Sequence, residues 1–173
     1  MLHVPDRLAQ LLGALALNAT DRFRDTVEGS LGRAGAHAAA LVHLEAYPGD
    51  SLRGLAQVLG VSQPAAVKVA DRLAADGLLE RRAGVDNRTR ALHLTARGRA
   101  ASAKILAERE AELADVLVVL DHDERTRLEP LLDKLVAGLA DDRPGALTVC
   151  RLCDRTTCCG DSPAGCPLHH TTL

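Results

Sequence analysis

Ser51-Leu52-Arg53-Gly54-Leu55-Ala56-Gln57-Val58-Leu59-Gly60-Val61-Ser62-Gln63-Pro64-Ala65-Ala66-Val67-Lys68 reads as two short amphipathic helices separated by a tight corner. Ser51 is a good N-cap, because its hydroxyl can accept from an amide that has no intrahelical partner. Leu52, Leu55, Ala56 and Leu59 follow at helical spacing. Gly60 ends this helix, since a residue free to take positive φ permits the sharp turn. Val61 is expected to pin the corner to the core and Ser62 to cap the second helix, with Pro64 in a first turn where no amide is missed. Helices joined so tightly must cross rather than run side by side. In the second helix Val67, Ala70 and Leu73 are expected to face inward, leaving Ser62, Gln63, Pro64, Ala65, Ala66, Lys68 and Arg72 largely outside. Small residues let a helix enter the major groove closely, Gln63 can bond adenine through two atoms, and the helix N-terminus favours a phosphate. This is the pattern of a recognition helix.

Asp76-Gly77 closes that helix. Leu78-Leu79-Glu80-Arg81-Arg82 and Thr89-Arg90-Ala91-Leu92-His93-Leu94 then alternate as two strands around a turn-forming tip, Ala83-Gly84-Val85-Asp86-Asn87-Arg88. Helix, corner, helix, Asp86-x-Arg88 in the tip and Leu94-Thr95-x-x-Gly98 opening a long helix together resemble the MarR family of bacterial transcription regulators. The resemblance implies a winged helix-turn-helix in which Arg88 reaches the minor groove, Asp86 holds Arg88 in place, and a homodimer binds a palindromic operator in double-stranded DNA. It also implies a repressor relieved by a small-molecule effector, a metal or an oxidant. Arg82, Asn87 and Arg90 complete the expected DNA-contacting set.

The formal net charge is −2 over 173 residues, which suits a DNA binder only if the positive charge is local. It is: residues 68–99 hold eight basic side chains (Lys68, Arg72, Arg81, Arg82, Arg88, Arg90, Arg97, Arg99) against four acidic ones (Asp71, Asp76, Glu80, Asp86). Binding through them should weaken with salt. Only Phe23 and Tyr47 are aromatic, so the interior must be Leu, Val and Ala, which favours close-packed helices and a mainly α fold. His93 is expected to pack or cap rather than to read anything. No apolar run reaches membrane-spanning length and the opening Met1-Leu2-His3-Val4-Pro5-Asp6 lacks a signal-peptide pattern, so a cytoplasmic location with no membrane partner is expected.

Apolar helices flank the winged segment. Leu8, Leu11, Leu12, Leu15 and Ala19 form a stripe, and a helix over residues 35–47 ends at Pro48-Gly49. Thr95 caps a long helix to about Leu120. Asp121 and Glu124 form a capping box for a last helix whose Leu128, Leu131, Leu132, Leu135, Val136 and Leu139 make a wide apolar face. A monomer has nowhere to bury all these faces. The N-terminal and last two helices are therefore expected to form a dimer interface, setting the two recognition helices about one DNA turn apart, ~34 Å. This divides the chain into an N-terminal dimerisation helix and connection (1–34), a winged helix (35–94), C-terminal dimerisation helices (95–142) and a cysteine-rich tail (143–173).

All five cysteines fall in that tail: Cys150-x-x-Cys153, then Cys158-Cys159, then Cys166-Pro167, with His169 and His170 beyond. Disulfides are disfavoured in a reducing cytosol, whereas spaced thiolate pairs in a loop-rich segment suit a tetrahedral metal. Cys150 and Cys153 would give two ligands, Cys158 or Cys159 a third and Cys166 a fourth. Zinc and an iron–sulfur cluster both fit these donors, and a thiol–disulfide switch without metal is a third reading. The histidines read as a polar end. Following the last dimer helix, the tail is expected to couple its metal or redox state to the separation of the recognition helices. Two other classes compete. A winged-helix protein-interaction module with a structural zinc knuckle would lack salt-sensitive DNA binding. A thiol or zinc enzyme would need a βαβ pattern before the Cys-x-x-Cys, or an open metal position with a base such as Asp154 or Asp161, and no βαβ pattern is present.

Overall fold

The computed structural model describes residues 6–32, 35–83, 90–160, 162 and 165–169. Asp86, Asn87 and Arg88 lie outside the described residues. The elements, in order, are α1 (Arg7–Leu31), α2 (Ala36–Ala46), α3 (Leu52–Leu59), α4 (Gln63–Ala75), β1 (Leu79–Ala83), β2 (Arg90–Leu94), α5 (Ala96–Leu117), α6 (His122–Ala137), α7 (Arg143–Val149) and α8 (Arg155–Cys159).

The centre of the molecule is α2, in which every residue from Ala38 to Leu44 is buried. A helix apolar all round belongs inside, and small alanines let α3, α4, α5 and the sheet close on it. Leu41, Leu44, Leu55, Leu73, Leu92 and Ile105 fill this core. β1 and β2 pair antiparallel, Leu79 opposite Leu94 and Ala83 opposite Arg90. The corner after α2 joins the other edge of β2: the Gly49 amide donates to Leu92 O at 2.8 Å and the Leu92 amide to Asp50 O at 3.0 Å. The wing is thereby tied to the entry of α3.

The Leu94-Thr95-x-x-Gly98 motif has a local physical reason. Thr95 Oγ1 donates to Gly77 O at 2.7 Å and accepts from the Gly98 amide at 3.1 Å, so one hydroxyl caps α5 and anchors the end of α4. Gly98 is buried where a Cβ would lie 2.0 Å from Leu78 O.

The long helices project from this core with their apolar faces uncovered. On α1, Leu8, Leu11, Leu12, Leu15 and Leu17 are exposed; on α6, Leu131, Leu132 and Leu135 are exposed, and none of its residues is buried. The capping box forms as expected, the Asp121 carboxylate accepting from the Glu124 amide and the Glu124 carboxylate from the Asp121 amide. Arg125 donates to Leu117 O and Leu120 O, closing α5 at Leu117, three residues before the expected end. Arg22 and Thr26 of α1 bind the Glu112 carboxylate of α5 at 2.7 and 2.9 Å. No helix among the described residues is long and apolar enough to cross a membrane.

Candidate nucleic-acid interface and thiol cluster

The helix pair forms where its caps direct. Ser51 Oγ accepts from the Gly54 amide at 3.0 Å, and Gly60 turns the chain at φ +63° while its amide closes on Gln57 O. Gly54 has no room for a side chain, since a Cβ there would lie 2.2 Å from Asp50 Oδ1. That carboxylate bonds the buried His43 Nε2 at 2.7 Å and accepts from the Ser51 amide at 2.6 Å. Burial raises the Asp50 pKa, but the His43 and Ser51 bonds prevail and hold it below the ordinary carboxylate value.

On α4, Ser62, Gln63, Pro64, Lys68 and Arg72 are exposed, in line with the sequence pattern. Ser62 is the N-cap by position, yet its side chain makes no capping bond. The inward face is broader than the expected one and turned toward Ala66 and Val69. Ala66, Val69, Ala70 and Leu73 are buried, and Val67 and Ala65 are half-buried. Ala66 is fully covered and must be withdrawn from the groove-facing set. The stripe starting at Ala66 follows the i, i+3, i+4, i+7 rule, and a methyl group there lets the crossing helices approach.

The charges are more constrained than the sequence suggests. Arg81 of β1 bonds Asp71 of α4 at 2.7 Å, which ties wing to recognition helix and screens an acid on the outer face. Arg82 pairs with Glu80 beside it, and Arg72 lies 3.6 Å from Asp76. Lys68 and Arg90 are exposed and have no ion pair among the described residues. The role of Arg81 is hidden in the sequence because only the folded hairpin brings it to Asp71, ten residues back. His93 is half-buried against Gly49, a packing histidine as expected.

The tail contains two helices that the cysteine pattern conceals. Asp142 caps α7 by accepting from the Gly145 amide at 2.8 Å, and Asp154 caps α8 through the Thr156 and Thr157 amides. α7 lies against α3, with Thr148 Oγ1 donating to Gln57 O at 3.2 Å. Leu152 packs on the central core, and Arg155 donates to the Tyr47 hydroxyl with its guanidinium 5.1 Å from the ring centre.

This folding gathers the thiols. Neighbouring thiols influence one another in turn, Cys150 with Cys153, Cys153 with Cys158, Cys158 with Cys159 and Cys159 with Cys166. The Cys153 thiol holds Cys150 below the ordinary thiol range, and the same interaction, with burial, pushes Cys153 far above it. Burial raises Cys158 to about 11 and also raises Cys159 and Cys166. No group of three or more ligating side chains among the described residues stands in ready coordination geometry. His169 is exposed, its ring bonded to Cys166 O.

Residues 31–89 match the model of the MarR family. Among solved structures, the YusO protein of Bacillus subtilis is similar at a TM-score of 0.66 and 24% identity, over 76% of this chain and 93% of its own. A MarR family protein of Mycobacterium tuberculosis gives 0.60 and 26% over 75% and 93%. MepR, a transcription regulator of the Staphylococcus aureus multidrug efflux pump MepA, gives 0.67 and 16% over 76% and 98%. Each is matched almost whole, while nearly a quarter of this chain is left over. No curated protein sequence matches the chain. Residues 31–89 are thus similar to the MarR family, and the described chain has the fold of these solved structures.

Proposed function

We propose that this protein is a transcriptional repressor that binds a palindromic operator as a homodimer. The observation that carries the reading is the outer face of α4. Ser62, Gln63, Pro64, Lys68 and Arg72 point to solvent from a helix whose opposite face is locked into the core. Side chains fixed by a packed helix can be presented to base edges without further ordering, and the charged pair can meet phosphates. Arg90, at the start of β2, extends the positive edge, and Asp86, Asn87 and Arg88 are read from the sequence alone as DNA-contacting residues.

The second copy supplies what the monomer lacks. The exposed leucines of α1 and α6 lie on either side of the winged segment in the chain, and covering them against a symmetric partner would bury both stripes at once. An effector has a natural place in the cleft of ≈ 440 Å³ between α1, α2 and α3, lined by Phe23, Val27, Ala36, Leu59 and Leu152. MepR, one of the similar solved structures, is a transcription regulator, and the same reading applies here.

The test is selection of duplexes from a random library by the full chain, then fluorescence anisotropy on the selected site. A palindromic consensus bound by two chains, with log Kd rising linearly with log salt, is expected. Failure to enrich any sequence, or binding indifferent to salt, overturns the reading in favour of a protein-interaction module.

A further inference from the structure

We propose that Cys150, Cys153, Cys166 and one of the adjacent pair Cys158 and Cys159 form a tetrathiolate centre for a thiophilic metal, which staples the tail to the back of the helix-turn-helix. The site is assembled from separate pieces of backbone. Cys150 ends α7, Cys153 lies on the turn closed by its own amide to Cys150 O at 2.9 Å, and Cys158 and Cys159 end α8. Cys166 returns beside them because Gly165 passes so close to α8 that a Cβ on it would lie 2.7 Å from Cys159 O.

Three features argue for a metal over an inert tail or a pair of disulfides. The first is convergence: Cys150 and Cys166, sixteen residues apart, pack on the same small apolar cluster, Cys153 closes its turn on Cys150 O, and Gly165 brings the chain just before Cys166 against Cys159. Four thiolates are the donor set that a tetrahedral thiophilic metal takes. The second is the poverty of the local core: Ala140, Ala146 and Leu168 are its only buried apolar residues among those described. A segment of this size cannot hold itself together on so little apolar burial, and cross-linking by metal is the usual remedy. The third is charge. Four thiolates on a divalent ion leave a net negative centre, and the positive charges of Arg109 of α5 and Arg155 of α8 favour the thiolate at Cys153 and Cys159 respectively.

Loading is an exchange. Thiol protons leave to solvent as sulfur–metal bonds replace the weak ligands of a Zn²⁺ ion or of a preformed iron–sulfur cluster, and no group changes oxidation state. Because α7 lies on α3 and Leu152 reaches the central core, an ordered tail buttresses the first helix of the DNA-binding pair. This last step rests on the regulator reading, whereas the metal centre does not.

The experiment uses the full chain purified without oxygen. Metal and acid-labile sulfide are measured per chain, with the visible spectrum and a count of free thiols. About one zinc in a colourless protein, or iron with sulfide in a brown one, is the expected result, and the two distinguish the ion from the cluster. Less than a tenth of an equivalent of any metal, with two disulfides or five free thiols, overturns the proposal.

Cys150→Ser, Cys166→Ser and the double change Cys158→Ser with Cys159→Ser are each expected to cut metal content at least about tenfold. Helicity by circular dichroism verifies that the winged core survives. Trypsin mapping should show cleavage after Arg151 and Arg155 at least about tenfold faster in chelator-treated protein, and equal rates refute the staple. Anisotropy on the selected duplex then tests the coupling, with a loss of about fivefold or more expected on metal removal. Unchanged affinity refutes the buttress, whereas absence of DNA binding in both forms refutes the regulator reading and leaves the metal result standing.

Discussion

Replacing Gly98 by Ala is the sharpest test of why the wing ends in its motif. The new Cβ would be placed 2.0 Å from Leu78 O and 3.2 Å from Leu94 Cβ. Leu78 O is backbone and Leu94 Cβ does not move when its side chain turns, so no rotamer change gives relief, and the strand entry and α5 must separate by more than about 1 Å to restore normal contact. Leu78 O also accepts from the Thr95 amide at 3.1 Å, so the same movement loosens a hydrogen bond. Overpacking costs ~1–3 kcal/mol and a weakened buried bond about 1 more, giving about 3 kcal/mol in all. For a chain of this length that lowers Tm by about 6–12 °C. Gly13→Ala is the matched control. It lies within α1 on the side away from the leucine stripe, with nothing within 4 Å of a Cβ, and should gain ~0.5–1 kcal/mol from helix propensity. The assay is thermal unfolding followed by circular dichroism at one fixed chain concentration. A Gly98→Ala protein melting within about 2 °C of the parent would refute the close-approach argument.

Asp50→Asn should cost ~1–3 kcal/mol, because it removes the charge from a bond to a buried histidine. The folded Asp50 pKa is depressed, so this contribution is complete above the unfolded value near 3.9 and is lost as pH falls through the lower folded value; denaturant melts should show the parent–variant gap narrowing only below about pH 4. Lys68→Ala should weaken operator binding at low salt and flatten the log Kd against log salt slope by about 1 per phosphate contact, hence by about 2 in a dimer. Arg72→Ala should flatten it less, because Asp76 already lies 3.6 Å from that guanidinium. Leu132→Asp with Leu135→Asp should turn a dimer into a monomer in sedimentation, since each leucine buried in an interface is worth ~1.5–3 kcal/mol. A variant sedimenting like the parent would remove α6 from the interface.

Elements defined by neighbours in the chain are legible in the sequence alone. Ser51, Gly60, Thr95 and the Asp121–Glu124 box are local devices whose partners lie within a few residues, and each cap stands at its expected position. Information carried by distant contacts is not legible in the same way. Val67 and Ala66 are adjacent, and the apolar pattern of α4 fits inward faces about 100° apart. Only the crossing with α3 and α2 decides that Ala66 goes in. The Arg81–Asp71 pair is likewise invisible in a count of charges, although it alters that count: the acid that would repel a phosphate is already bound.

The tail shows the same division more consequentially. Asp142-Arg143-Pro144 and Asp154-Arg155-Thr156 are capping signals of the same kind as Ser51 and Thr95, but the density of cysteines directs attention to ligands and away from helices. Chain order places the tail after α6, which suggests influence through the dimer arms. Thr148 on Gln57 and Arg155 on Tyr47 instead bring it back to the entry of the helix-turn-helix, across about ninety residues of sequence for the first contact and more for the second. A signal originating at Cys150 therefore need not cross the subunit interface to be felt at α4. It has only to change how firmly α7 holds α3, whose Gly60 corner fixes the angle at which Gln63 and Lys68 leave the surface. Substituting Leu152, which links tail and core, with Ala should for this reason lower operator affinity while leaving dimer sedimentation unchanged. The opposite pattern, an altered dimer with intact affinity per site, would return the tail to the arms.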